Sequence, residues 1–144
     1  MSTNPFIGTW RLVSAETKTA SGEISYPFGR DAAGYLIYGQ DGYMAVTIMG
    51  ANRKRFTTAD VRGGSLQEKL TAFDTYLSYC GTYEVKGDKV VHQIELSLFP
   101  NWSGIDQERF FELSGDELIL RTAPMALEGT QRTAQLIWHR ASVR

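Results

Sequence analysis

Apolar and polar positions alternate along most of the chain. From residue 90 to 98, Val90, His92, Ile94, Leu96 and Leu98 fall on one parity, and Val91, Gln93, Glu95 and Ser97 on the other. A period of two puts successive side chains on opposite faces of a strand. The first set is almost wholly apolar, so the spacing predicts that it faces a core and carries His92 inward. Further on, Gln107, Arg109, Phe111 and Leu113 share one parity, and Glu108, Phe110 and Glu112 the other. The two acids mark the second set as the solvent face, which puts Arg109 inside or at a mouth. Read this way, the chain holds eight strands, at residues 8–18, 35–38, 43–49, 81–85, 89–99, 107–113, 117–122 and 133–140. All are rich in Val, Ile, Thr, Tyr and Phe.

The punctuation between these segments says how they connect. Gln40-Asp41-Gly42, Lys86-Gly87-Asp88 and Ser114-Gly115-Asp116 are short clusters that supply the positive φ of tight turns, and each predicts a hairpin. One helix stands out. Ser65 and Glu68 form a capping box, Leu66, Leu70, Phe73 and Leu77 recur at helical spacing, and Gly81 ends the run. It falls between the third and fourth strands, and its apolar stripe is expected to pack on a sheet face or on the end of a barrel. Residues 19–33, with Tyr26-Pro27-Phe28-Gly29, are long for a hairpin loop and suit a lid over an opening. Antiparallel strands in sequence order leave two free edges. Closure into an eight-stranded up-and-down β-barrel removes both, and such a barrel is either packed or holds one small ligand.

Composition narrows the function without choosing it. A chain of 144 residues fits one domain, residues 1–144, with a sizeable core and no separate cofactor domain. Lys and Arg number 15 against 16 Asp and Glu, so the excess positive charge that drives nucleic-acid binding is missing. No apolar run reaches the length of a membrane span, and the first residues, Met1 to Phe6, lack the basic and apolar regions of a secretory signal. The single cysteine, Cys80, forms no internal disulfide and is expected to be a small buried residue. A cytoplasmic protein is the resulting expectation. No metal is expected, because His92 and His139 lie on separate segments with no ligand-spaced partner. No cofactor is expected either, since no phosphate-cradling glycine motif occurs.

The candidate chemistry is therefore local. His92 is either a core histidine bonded to a polar neighbour or a cavity histidine that binds an acidic group or moves a proton. Arg109, as a buried guanidinium, requires an anionic or carbonyl partner, which is either an internal ion pair or a ligand. The two sit on neighbouring strands. Trp102 caps the cavity or covers the rim. Tyr26, Tyr35, Met44 and Tyr83 complete the candidate ligand-binding set, tyrosine giving an apolar wall with one hydrogen-bonding tip. Asn52-Arg53-Lys54-Arg55 reads as a solvated basic loop.

Gly8-Thr9-Trp10 on the first strand resembles the lipocalin signature, and the resemblance implies that Arg140, from the last strand, stacks on Trp10 at the closed end. Tyr26-Pro27-Phe28-Gly29, Gly34-Tyr35-Leu36-Ile37-Tyr38, Tyr79-Cys80-Gly81-Thr82-Tyr83 and the run from Ser97 to Gly104 followed by Arg109 resemble the bacterial and fungal lipocalin-like domain family along nearly the whole chain. The resemblance implies a calycin-type barrel and no single activity. The expected function is an intracellular barrel binding a small apolar or aromatic molecule, acidic or carbonyl-bearing, with a homodimer left open. The alternative is a cofactor-independent cyclase or isomerase, with His92 and Arg109 as its catalytic pair acting on a polyketide-like intermediate. The cavity is expected to open beside residues 19–33.

Overall fold

The pattern of alternation closes on itself. The computed structural model describes residues 4–142. Its strands are β1 (Gly8–Thr19), β2 (Ile24–Ser25), β3 (Ala33–Tyr38), β4 (Tyr43–Met49), β5 (Tyr76–Lys86), β6 (Lys89–Ser97), β7 (Asp106–Ser114), β8 (Glu117–Arg121), β9 (Met125–Leu127) and β10 (Thr130–Arg140). Eight of them form the barrel, in the order β1-β3-β4-β5-β6-β7-β8-β10, and β10 pairs back onto β1 from Trp10↔Arg140 to Thr19↔Arg132. No barrel strand is left with a free edge. β2 and β9 are short additions on β1 and β10. The expected hairpins are present, with Gly42, Gly87 and Gly115 at φ of 92°, 63° and 59°. A fourth joins β9 to β10 through Glu128 and Gly129, both at positive φ.

The two ends of the barrel differ. One end carries the tight hairpins and the segment from Asn4 to Ile7. Phe6 is fully buried there, edge-on to Tyr38 and Phe111, and its carbonyl accepts a hydrogen bond from Trp10 Nε1 at 3.0 Å. Arg140 lies 4.2 Å over the Trp10 ring and donates to the carbonyls of Ile7 and Pro5. This end is plugged. The other end carries the long connections, residues 20–32, 50–75, 98–105 and 122–129. Between the ends, Trp10, Leu36, Ile48, Val90, Ile94, Leu118 and Trp138 fill the interior.

Several expectations need correction. The helix, α1 (Leu66–Asp74), has the predicted capping box but stops at Thr75, and Leu77 lies on β5. Residues 76–79 pair with Met49 to Val46 of β4, and that ladder overrides the helical spacing. With β2 counted, the helix follows the fourth strand instead of the third. Its apolar stripe is left largely open: α1 meets β5 but buries no residue, and Leu66 is 87% exposed. A further correction concerns β6. Gly81 pairs with Ile94 but Cys80 pairs with Leu96, so Glu95 is an extra residue and the strand bulges. The bulge flips the faces beyond it. Leu96 turns outward, 69% exposed, and Ser97 turns inward opposite Tyr79. Gly81 makes the bulge possible, because a Cβ there would collide with the Gln93 carbonyl oxygen. Cys80 in turn is half-buried on the outer face, beside Ala45 and Leu96.

Candidate functional site

The inward face of β6 brings His92 to the barrel interior, where it is 1% exposed. A tyrosine hydroxyl meets each ring nitrogen: Tyr38, from β3, at 2.6 Å from Nε2, and Tyr79, from β5, at 2.7 Å from Nδ1. Burial is the larger cause and the neighbouring Arg109 charge the smaller in pushing the His92 pKa down to about 3. The imidazole is therefore neutral at physiological pH, with one N–H. One tyrosine donates to it and the other accepts from it. Burial also raises both tyrosines above their usual range, Tyr38 strongly, so both stay protonated.

Arg109 joins this cluster from β7, opposite Val90, and is 7% exposed. Its Nη1 donates to the Gln107 side chain at 3.2 Å and to the Glu108 carbonyl at 3.1 Å. Its charge opposes part of the rise at Tyr38 and Tyr79. Among the described residues no carboxylate lies within ion-pair distance of it. An enclosed guanidinium satisfied only by neutral oxygens keeps its charge available for an anionic or carbonyl oxygen. The interior also leaves Ser97 Oγ and Trp138 Nε1 buried without a hydrogen-bond partner.

Two cavities that adjoin the barrel take no wall from residues 19–33, beside which the opening was expected. β2 and the turns around it draw the connection against β1, and Phe28 packs on the core. The β7–β8 ladder ends at Phe110↔Arg121. Past that point Asp106 to Arg109 and Thr122 to Met125 line a cavity of about 410 Å³, with Arg109 in its wall. The larger cavity, about 750 Å³, lies at the plugged end against Phe6, Tyr83 and Phe111. Size favours this second cavity and chemistry the first. The only candidate at the plugged end is Tyr83, whose hydroxyl already donates to the Gly39 carbonyl and accepts from Asn4 Nδ2.

The remaining candidates scatter. Met44 is buried in the core, and Trp102 packs edge-on to Tyr79 with ring centroids 5.8 Å apart. Tyr26 is half-buried under the Arg30 guanidinium. Tyr35 is misplaced by the sequence reading: it stands on the outer face, 45% exposed, stacked with Arg11 and hydrogen-bonded to it. Its neighbour Leu36 takes the inward position, so parity forces Tyr35 out. Sequence reasoning missed Tyr38 and Tyr79. The signal was present, since Tyr38 shares parity with Leu36, and Tyr79 shares parity with Gly81 and Tyr83. Arg53 of the basic loop stacks on Tyr76 and donates to Thr75 and Ala72. Among the described residues no three His, Cys, Asp or Glu side chains gather as metal ligands would, and no helix is long and apolar enough to cross a membrane.

A closed eight-stranded antiparallel barrel, plugged at one end and holding a polar cluster in an apolar interior, defines the class. The profile of a lipocalin-like domain matches residues 7–141, and the chain belongs to that family. A 4'-hydroxy-3'-methoxypropiophenone carrier protein of Aspergillus oryzae is 28% identical over 106 residues, which span 67% of this chain and 96% of that protein. An uncharacterized protein from Bacteroides eggerthii is similar in structure with a TM-score of 0.47 and 14% identity, covering 94% of this chain and 99% of that one.

Proposed function

We propose that this barrel is a carrier or binding protein for a small aromatic molecule bearing a carbonyl or ionised phenol oxygen. Arg109 is the polar anchor and the Tyr38–His92–Tyr79 array the neutral hydrogen-bonding wall behind it. The observation that carries this reading is the enclosed Arg109 guanidinium, which among the described residues has no carboxylate within ion-pair distance and has a cavity against it. The name of the Aspergillus oryzae relative supports it, because a hydroxylated aryl ketone has the polarity this site matches. An apolar ring takes the walls and one oxygen takes the cation.

Titration with 4'-hydroxy-3'-methoxypropiophenone, followed by quenching of tryptophan fluorescence, tests the anchor. Wild-type protein should saturate at one site, and Arg109→Gln should weaken binding by about tenfold or more, the loss of one charge-assisted hydrogen bond. Equal binding by both proteins removes Arg109 from the role. Native mass spectrometry of the purified protein is the companion measurement, with a co-purified aromatic as its expected result.

Catalysis is the second reading, and the hydrogen-bonded series Tyr38–His92–Tyr79 is what favours it. A cyclase or isomerase would need that series to move a proton. Against this, the surroundings hold His92 neutral far below its usual range, which makes it a poor base near pH 7. Recovery of a product that differs in structure from the added ligand would replace the carrier reading with the catalytic one.

A further inference from the structure

A second cation faces the barrel interior near its loop-bearing end. On β10, Arg132, Ala134, Leu136 and Trp138 share one parity, and Trp138 is fully buried, so Arg132 points inward as well. Its Nη1 donates to Ser25 Oγ at 2.8 Å, and Ser25 Oγ lies 2.7 Å from Thr17 Oγ1. Thr17 is buried and faces Ala134 across the β1–β10 ladder. Arg132 Nε is enclosed and has no hydrogen-bond partner, and among the described residues no carboxylate lies within ion-pair distance of this guanidinium either. A guanidinium presents its donors in a planar fork that matches a carboxylate. Here one arm of the fork rests on a hydroxyl and the Nε–H beside it is unused.

We propose that Arg132, with Ser25 and Thr17, forms a carboxylate-binding subsite inside the barrel. The ligand of this protein is therefore an aromatic carboxylic acid whose carboxylate takes the Arg132 fork. This inference rests on the interior-binding reading and adds the charge of the ligand to it. Two inward arginines, neither with an ion-pair partner among the described residues, leave positive charge that an anionic ligand neutralises. Ser25 has a defined part. Its two-residue strand pairs with β1 and sets that hydroxyl against Thr17, where it holds one arm of the Arg132 side chain while Nε stays without a partner.

The test compares 4-hydroxy-3-methoxycinnamate with its methyl ester, which share a ring and chain and differ in the carboxylate charge. At neutral pH the acid is ionised. Wild-type protein should bind the acid about tenfold more tightly than the ester. Arg132→Gln should erase that preference while changing ester affinity less than about twofold, and Arg132→Lys, which keeps the charge but not the fork, should restore part of it. The ester serves as the check on folding, because a variant that binds it normally is intact. If Arg132→Gln keeps the acid preference, the subsite is wrong. If Arg109→Gln erases the preference and Arg132→Gln does not, the anion sits at Arg109, and the interior-binding reading survives without this one. Binding of neither compound by the wild type overturns both readings.

Discussion

His92 shows how completely surroundings set the chemistry of one side chain. Free imidazole titrates near pH 6.5, and burial with Arg109 beside it brings His92 down to about 3. Between those values the unfolded chain binds a proton that the folded chain does not. Stability is therefore full above the unfolded value and falls as the pH drops through the window, by up to ~1.4 kcal/mol per unit. Urea midpoints measured between about pH 6.5 and 5, above the range where carboxylates titrate, should decline with acidification. His92→Gln should flatten that decline, and an unchanged slope in the variant would show that another group carries it. Tyr38→Phe acts on the same array differently. It leaves one buried ring nitrogen without its partner and should lower stability by about 1–3 kcal/mol in the same assay. His92 and Arg109 were legible in the sequence because each sits on a strand whose two faces differ sharply in polarity. Tyr35 was not, because both faces of β3 carry large apolar or aromatic residues and parity alone does not say which is inside. Arg132 escaped for another reason: residues 130–132 are polar, so the last strand was expected to begin after them.

Among the elements, the β5–β6 pair shows what a simple alternation rule cannot see. Leu96 and Leu98 continue the apolar parity of Val90, His92 and Ile94, yet one extra residue at Glu95 sends Leu96 into solvent and brings Ser97 inward. No residue in the strand announces a bulge. The sign is on the partner strand, where Gly81 interrupts an otherwise bulky run. Gly81→Ala should then cost more than an ordinary glycine substitution, because the Cβ meets the backbone carbonyl of Gln93 and no side-chain rotation relieves it. A loss of at least ~2 kcal/mol is expected in denaturant unfolding. Gly115→Ala, at a hairpin glycine with positive φ and open space around it, should cost only about 1 kcal/mol. Similar losses at the two sites would mean that the bulge relaxes. The helix makes the opposite point. Its capping box fixed its start correctly, since Ser65 and Glu68 act through the local backbone alone. Its end and its packing depend on β4 and on the rest of the chain, and spacing carries no information about those.

For the whole molecule, closure does two jobs that the sequence pattern separates poorly. The β1–β10 ladder closes the wall, and the Asn4 to Ile7 segment closes one end. The first follows from counting strands. The second rests on a few contacts: Phe6 in its aromatic socket of Tyr38 and Phe111, Trp10 Nε1 on the Phe6 carbonyl, and Arg140 over Trp10. The plug is also the floor under the polar cluster, since Tyr38 touches Phe6 on one side and His92 on the other. Phe6→Ala should therefore act on stability and on the site together. Removing a buried phenylalanine costs about 3–5 kcal/mol. The cavity it leaves joins the space already present at that end, where Phe6 lines the larger cavity. Arg140→Met keeps the plug in place but removes the cation from Trp10 and two hydrogen bonds to Ile7 and Pro5, so it should cost about 2 kcal/mol without opening the floor. Acrylamide quenching of tryptophan fluorescence separates the two effects. Phe6→Ala should expose Trp10 to the quencher under native conditions, whereas Arg140→Met should shift the unfolding midpoint and leave native quenching near the wild-type level. Equal quenching in the two variants would mean that the Phe6 side chain has no special part in holding the end of the barrel shut.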